Sequence, residues 1–265
     1  MEAAIAFILL LLLIVGGLWV QFAVGAAALA YLWLFKGVAG WKALGLVSWG
    51  SANSFTLAAI PLFIFMAEIL LASGLSGRLY NGIAPFVKRL PGGLLHTNIV
   101  GSGVFAAVAG GSAPTAAAMS TVALPALAAR GYNRRLVAGS LAAGGTLGIL
   151  IPPSITMIIY ATFTETSIAK LFAAGLVPGI LLGACYSLLI MARAIANPNL
   201  VPRDTQKREW RDYLQALSDV LPFGLLIMMI LGSIYSGMAT PTEAGALGVV
   251  GAMLIAALYR RLNMA

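Results

Sequence analysis

The chain is poor in charge. Of its 265 residues, sixteen are Lys or Arg and eight are Asp or Glu, 9% in all, against 61% apolar residues. Soluble domains carry about 25% charged and 45–50% apolar residues. A water-soluble globular fold is therefore excluded, and so is disorder. The single Cys185 excludes a disulfide framework and a cysteine metal cluster. The single His96 leaves no plausible zinc site. The acids are Glu2, Glu68, Glu165, Asp204, Glu209, Asp212, Asp219 and Glu243, and no two share an apolar run. Catalysis by paired acids, a Ser/His pair or metal ligands thus finds no support, and the chain does not read as an enzyme. Its net charge of +8 resembles a nucleic-acid signal, but the basic residues are scattered between apolar runs, as in cytoplasmic membrane loops. The composition predicts an all-α polytopic membrane protein whose surroundings are lipid, with no nucleic-acid partner.

What is abundant is uncharged sequence. The runs cover residues 3–35, 43–67, 90–129, 136–164, 171–192, 220–242 and 244–259. A helix needs about 20 residues to cross the hydrocarbon. Residues 3–35 are one long tilted helix or two short ones meeting at Gly16-Gly17. The Met1-Glu2 start has no basic n-region, which argues against a signal peptide. Glu68 is expected near the cytoplasmic end of a helix over 54–73, where snorkelling suffices. Residues 75–91, with Arg78, Tyr80, Lys88 and Arg89 among apolar neighbours, read as an amphipathic helix lying in the interface. Residues 197–219 read as a polar linker. Thr240-Pro241-Thr242-Glu243 has the form of a helix start, with a Thr cap, Pro at the first position and Glu three residues on.

Two runs are interrupted. As one helix, the forty residues 90–129 would extend about 60 Å, twice the bilayer core. Ala109-Gly110-Gly111-Ser112-Ala113-Pro114-Thr115 breaks them in the middle. Lys88 and Arg89 stand before the run and Arg130, Arg134 and Arg135 after it, so both ends are expected on one side. Two full spans with an outside turn, or a re-entrant hairpin (91–130), satisfy this. The small uncharged tip favours the hairpin. Residues 136–164 are broken at Gly144-Gly145-Thr146-Leu147-Gly148-Ile149-Leu150-Ile151-Pro152-Pro153-Ser154. The prolines lack an N–H and the glycines are expected to loosen the preceding turn. Carbonyls freed there must face protein or a wet cavity. Two successive Gly/Pro-interrupted elements point to a midplane binding site in a transporter.

The oxygen groups at the breaks suit a hard cation such as Na⁺. The tip offers Ser112 and Thr115 with the carbonyls near Gly110 and Gly111. The broken helix offers Thr146, Ser154 and Thr156 with the carbonyls from Gly148 to Pro152. Half-helix starts after Pro114 and Pro153 present N–H groups and positive dipole ends suited to a carboxylate. The assignment is Ser112, Thr115, Thr146, Gly148 and Pro152 for Na⁺, and Gly111, Ser154 and Thr156 for substrate. The alternative is that the Ser and Thr hydroxyls only back-bond to their own helices. Lone His96, near the interface, is expected to be a satisfied polar residue. The clusters Arg130/Arg134/Arg135, residues 193–211 and Arg260/Arg261 fall on one side, which the positive-inside rule makes cytoplasmic. Residues 164–167 and 236–240 then face the opposite compartment.

These breaks carry a family resemblance. Gly110 to Ala118, followed by Ala123-Leu124-Pro125 and Gly131-Tyr132, resembles the first hairpin of the large membrane subunit of tripartite ATP-independent periplasmic (TRAP) transporters. Residues 138–154 are similar to that subunit's most recognisable segment. Ala174-Gly175-Leu176-Val177-Pro178-Gly179, Ile60-Pro61-Leu62-Phe63-Ile64 through Glu68, and Ile234-Tyr235-Ser236-Gly237 with Thr240 to Ala244 also resemble the family. The resemblance implies an elevator-type fold of the ion-transporter superfamily in a bacterial inner membrane. It implies Na⁺-coupled import of small organic acids (a C4-dicarboxylate, sialic acid or a related carboxylate). It also implies a periplasmic substrate-binding protein and a small four-helix membrane subunit as partners. Its first Na⁺ site would use Ser112, Thr115 and the backbone around Gly148 to Pro152. The family's subunit has two inverted repeats. The matching parts are a scaffold and arm (1–90), a transport-type segment (91–196, with the broken helix at 134–164), the linker (197–219) and the start of a second repeat (220–265). The chain is therefore expected to be a fragment, a truncated product or half of a split subunit. Two rival functions are an elevator-type anion/Na⁺ symporter without a binding protein and an inactive membrane scaffold.

Overall fold

The computed structural model describes residues 2–202 and 210–259, and every element in them is helical. Of the residues named above, Met1, Asp204, Glu209, Arg260 and Arg261 lie outside the described part. Six helical stretches among the described residues are long and apolar enough to cross a membrane: Val20–Ala52, Phe55–Ala72, Arg134–Thr164, Ile168–Ala196, Trp210–Tyr235 and Pro241–Leu258. The chain divides into two compact units, Met1–Ser54 and Phe55–Ala265.

The first unit holds α1 (Glu2–Val15), α2 (Val20–Tyr31), a π-helical turn (Leu32–Lys36) and α3 (Gly37–Ala52). Residues 3–35 are therefore two helices. They part where expected, with Gly17 at φ 86° in the left-handed region that a side chain disfavours. Glu2 accepts from Tyr31 Oη at 3.1 Å and pairs with Lys36 at 3.4 Å, which sets α1 back along α2. The uncharged run 43–67 is not one span: α3 stops at Ala52, and Asn53 and Ser54 separate it from the next helix.

The second unit begins with a 3-10 turn (Phe55–Ala58) and α4 (Ala59–Ala72), followed by α5 (Leu75–Val87), α6 (Leu95–Ala109) and α7 (Ser112–Ala128). Then come α8 (Arg134–Leu150), α9 (Ile155–Thr164), α10 (Ile168–Ala196), a short 3-10 turn (Pro198–Leu200), α11 (Trp210–Tyr235) and α12 (Pro241–Leu258). The last ten residues read as polar linker, 210–219, are helical and belong to α11, which carries Asp219 within it. At α12 the capping box forms: Glu243 accepts from the Thr240 N–H at 2.8 Å, and Thr240 Oγ1 accepts from the Glu243 N–H.

Small residues let these helices approach closely, the usual device where lipid removes a hydrophobic drive between them. A Cβ at Gly248 of α12 would lie 2.6 Å from Met66 Sδ of α4, and one at Gly82 of α5 would lie 2.9 Å from the Ala216 carbonyl of α11. Arg78 of α5 pairs with Asp219 at 3.4 Å. The core runs through Phe63, Met66 and Leu70 of α4, Leu79 and Tyr80 of α5, Phe105 of α6 and Phe223 of α11. Most of α5 is buried against its neighbours, through Leu75, Leu79, Tyr80, Ile83 and Pro85 among others, and Asn81 and Phe86 are exposed.

Candidate functional site

Helices α6 and α7 form a hairpin joined by two residues. Gly110 ends α6 in the left-handed conformation (φ 65°), donating to the Ala106 carbonyl at 2.8 Å. Gly111 is extended, and α7 starts at Ser112 without a side-chain cap. Pro114 does not break the helix: it lies in the first turn of α7, where a missing N–H costs nothing. The open end of the hairpin is tied by the Leu94 N–H, which donates to Tyr132 Oη at 3.1 Å.

The broken helix meets this tip. α8 remains helical to Leu150, so Gly144, Gly145 and Gly148 do not loosen it. They are contact points instead. A Cβ at Gly148 would lie 2.5 Å from the Gly111 carbonyl oxygen and 2.9 Å from Ser112 N. One at Gly145 would meet Ala116 Cβ at 2.8 Å, and one at Gly144 would meet Ser102 Oγ at 2.6 Å. Only a glycine backbone lets α8 lie against the tip peptide. Residues 151–154 leave the helix, with a cis peptide between Pro152 and Pro153. Pro152 and Pro153 stand four residues after Gly148 and Ile149 and have no N–H, so those two carbonyls lack a helical donor. The far side of the break is pinned to the tip, because the Ile155 N–H donates to the Gly110 carbonyl at 2.8 Å.

Polar oxygens converge on this junction. Thr115 is fully buried, and its hydroxyl donates to the Gly111 carbonyl at 2.7 Å. That bond is the back-bonding pattern of a helical Thr. It uses the hydroxyl proton and leaves the oxygen lone pairs for a cation. Ser112 Oγ and Ser154 Oγ are buried without a hydrogen-bond partner. A buried polar atom left unpaired costs about 1–3 kcal/mol, so two at one junction fit an ion or polar ligand there. Gly148 thus lies against Gly111 and Ser112, Thr115 is bonded to Gly111, and Pro153 and Ile155 of the break meet Gly110, with buried Pro152 and Ser154 beside them in the chain. Thr146 and Thr156 stand apart from this junction. Thr146 is exposed and bonds to the Ala143 carbonyl at 2.7 Å and to Tyr186 Oη at 3.0 Å. Thr156 is exposed on α9.

Two supports of the junction are not legible in the sequence. The first is the packing of α10, whose sequence reads only as a span. A Cβ at Gly175 would lie 2.7 Å from the Leu150 carbonyl, and one at Gly179 would lie 2.9 Å from Ile151 Cγ1, so α10 backs the break through a small-xxx-small pair. The second is a buried polar chain. Tyr80 Oη donates to Asn98 Oδ1 at 2.9 Å, Asn98 Nδ2 donates to Ser140 Oγ at 2.8 Å, and Ser140 Oγ donates to the Val137 carbonyl. Burial pushes the Tyr80 phenol up, which keeps it the proton donor. The chain joins α5, α6 and α8. Its signal was Asn98 and Ser140 among apolar residues. His96 is buried, and its Nε2 donates to the Pro91 carbonyl at 2.8 Å.

Residues 7–265 match the family model described as tripartite ATP-independent periplasmic transporter, DctM component. Three relatives illustrate the range of similarity. The C4-dicarboxylate TRAP transporter large permease protein DctM of Pseudomonas aeruginosa is 36% identical over 84% of this chain and 52% of its own length. The 2,3-diketo-L-gulonate TRAP transporter large permease protein YiaN of Escherichia coli is 34% identical over 81% of this chain and 50% of its own. The sialic acid TRAP transporter large permease protein SiaM of Vibrio cholerae is 29% identical over 78% and 48%. The chain spans about half the length of these relatives.

Proposed function

Because the chain belongs to the family of the tripartite ATP-independent periplasmic transporter DctM component, a transporter permease family and not an enzyme family, we propose that it carries the first repeat of a permease importing a small organic acid with Na⁺. The observation that carries this reading is the junction of hairpin tip and helix break, where the Gly111–Ser112 peptide lies on Gly148 and two buried serine hydroxyls lack partners. Na⁺ takes oxygen ligands. Ser112, Thr115 and the donor-less carbonyls of Gly148 and Ile149 offer an uncharged set, and Pro152 keeps the Gly148 carbonyl open by having no N–H to close the helix. The uncapped starts of α7 and α9 present N–H groups and positive dipole ends to a carboxylate, with Gly111 and Ser154 beside them. Thr146 and Thr156 leave the assignment because their hydroxyls sit on exposed faces.

The hairpin is re-entrant in this reading. Its arms of 15 and 17 residues extend about 22–26 Å, short of a bilayer core of about 30 Å. Arg130, Arg134 and Arg135 at its base face the cytoplasm of a bacterial cell, and the tip stops inside the membrane, short of its far side. The elevator movement, the rest of the permease, the small four-helix subunit and the periplasmic binding protein complete the system. C4-dicarboxylates, diketogulonate and sialic acid in the names of relatives support a small organic acid as the substrate.

The test is uptake into proteoliposomes holding the complete permease and its small subunit, supplied with loaded binding protein. Uptake is expected with an inward Na⁺ gradient and not with K⁺ in its place. Equal uptake in the two salts overturns the coupling, and no uptake under either favours a scaffold role.

A further inference from the structure

The corner between α7 and α8 carries a second feature, away from the tip. A cavity of about 240 Å³ is lined by Leu124, Pro125, Ala128, Tyr132, Arg134 and Val137. Leu124, Pro125, Ala128 and Arg134 are exposed, so the cavity is open to the surroundings of the chain. All but Arg134 and the tyrosine hydroxyl are apolar, and that hydroxyl is engaged by the Leu94 N–H. Beside the apolar walls stand Arg130, Arg134 and Arg135, all exposed, and among the described residues none forms an ion pair.

The placement of the arginines is unfavourable without an anion. Arg134 and Arg135 open α8, whose first turn holds no acid. The start of a helix is its positive end, where cations are disfavoured and anions favoured. Asn133 caps the Arg135 and Leu136 N–H groups with a neutral side chain and adds no negative charge. Three guanidinium groups and a helix start thus share one corner, at the mouth of an apolar groove, in a membrane protein. A basic pocket between membrane helices is suited to an anionic lipid headgroup, and the groove is suited to its acyl chain.

We propose that this corner is a binding site for an anionic phospholipid, with the phosphate on Arg130, Arg134 and Arg135 and one acyl chain along Leu124, Ala128 and Val137. The proposal is independent of Na⁺ coupling. It places a lipid on the turn that links the hairpin to the broken helix, so occupancy holds the outer ends of the two elements that meet at the tip.

The probe is phosphatidylglycerol, compared with phosphatidylcholine of the same acyl chains, retained by the purified full chain in native mass spectrometry. Phosphatidylglycerol is expected to bind at least ten-fold tighter, since each near-surface arginine adds on the order of five-fold. Replacing Arg130, Arg134 and Arg135 together by Gln should remove the preference, while Ala128→Phe, at an exposed position, should weaken both lipids by filling the groove. Equal retention of the two lipids by the wild-type chain overturns the proposal without any variant. Displacement of phosphatidylglycerol by millimolar inorganic phosphate, with Ala128→Phe silent, also overturns it and leaves a phosphate site.

Discussion

The most apolar parts of the Val20–Ala52 and Arg134–Thr164 stretches are equally hydropathic, yet 11% of the first is buried within the structure and 44% of the second. Hydropathy alone does not separate them. The glycines do. A Cβ added at Gly25 or Gly45 in the first stretch would meet nothing within 4 Å, whereas Gly144, Gly145 and Gly148 in the second are each pressed against another helix. A glycine in an apolar helix thus has two meanings. At Gly25 and Gly45 it is a neutral filler facing outward. In the second stretch it is the space that lets a hairpin backbone reach a helix break. The chemistry of the candidate site follows from that closeness, because carbonyls and hydroxyls from separate elements converge only where no Cβ intervenes.

Gly148→Val strikes the contrast hardest. Its Cβ has no room beside the Gly111 carbonyl, and backbone cannot move aside like a flexible side chain. A loss of about 3 kcal/mol or more of stability is expected, at the upper end of overpacking costs, read as a fall in unfolding temperature of the purified chain. A fall no larger than that of Gly139→Ala, at a position with open space on the same helix, would erase the distinction between filler and contact glycines.

Thr115→Val removes one buried hydroxyl at nearly constant volume. Loss of a partner in a buried site costs about 1–3 kcal/mol, or roughly a 5- to 150-fold weaker apparent Na⁺ affinity. Thr146→Val serves as the control, because that hydroxyl is exposed and turned to Tyr186. A Thr115→Val titration that overlays the wild type would reduce Thr115 to packing.

The Asn98–Ser140 bond sharpens the comparison inside the second region. Polar pairs between membrane helices contribute about 0.6–1.7 kcal/mol in double-mutant cycles. A cycle of Asn98→Leu and Ser140→Ala should give a coupling in that range, and additivity would mean the two side chains act separately. Gly25→Ala is the smallest perturbation. It should stabilise slightly, by about 0.5–1 kcal/mol from helix propensity, and a destabilisation would show that Gly25 faces a packed neighbour.

The sequence made the punctuation legible. Gly110-Gly111 marks the hairpin turn, Pro152-Pro153 the break, and Thr240 to Glu243 a capping box, because each rests on local backbone chemistry. It was less informative where rotation about a helix axis decides. Thr146 and Gly148 are two residues apart, yet one faces outward and the other the tip. Boundaries set by charge also slipped. Asn53-Ser54 divides an uncharged run, and residues 210–219 of a polar one are helical, since a charge pattern reports solvation and not hydrogen bonding. The Gly144 and Gly148 contacts were missed in favour of local flexibility, because a sequence does not display the partner that fills the space.

The claim that the tip and break together hold Na⁺ is tested most directly by the unfolding temperature of the purified chain in Na⁺ and in K⁺ at equal ionic strength. A ligand at a hundred times its Kd stabilises by about 2.7 kcal/mol, so the wild type should melt at a higher temperature in Na⁺. The difference should vanish when Ser112→Ala and Thr115→Val are combined. Equal melting of the wild type in the two salts, or a Na⁺ effect that survives the double substitution, would contradict the account.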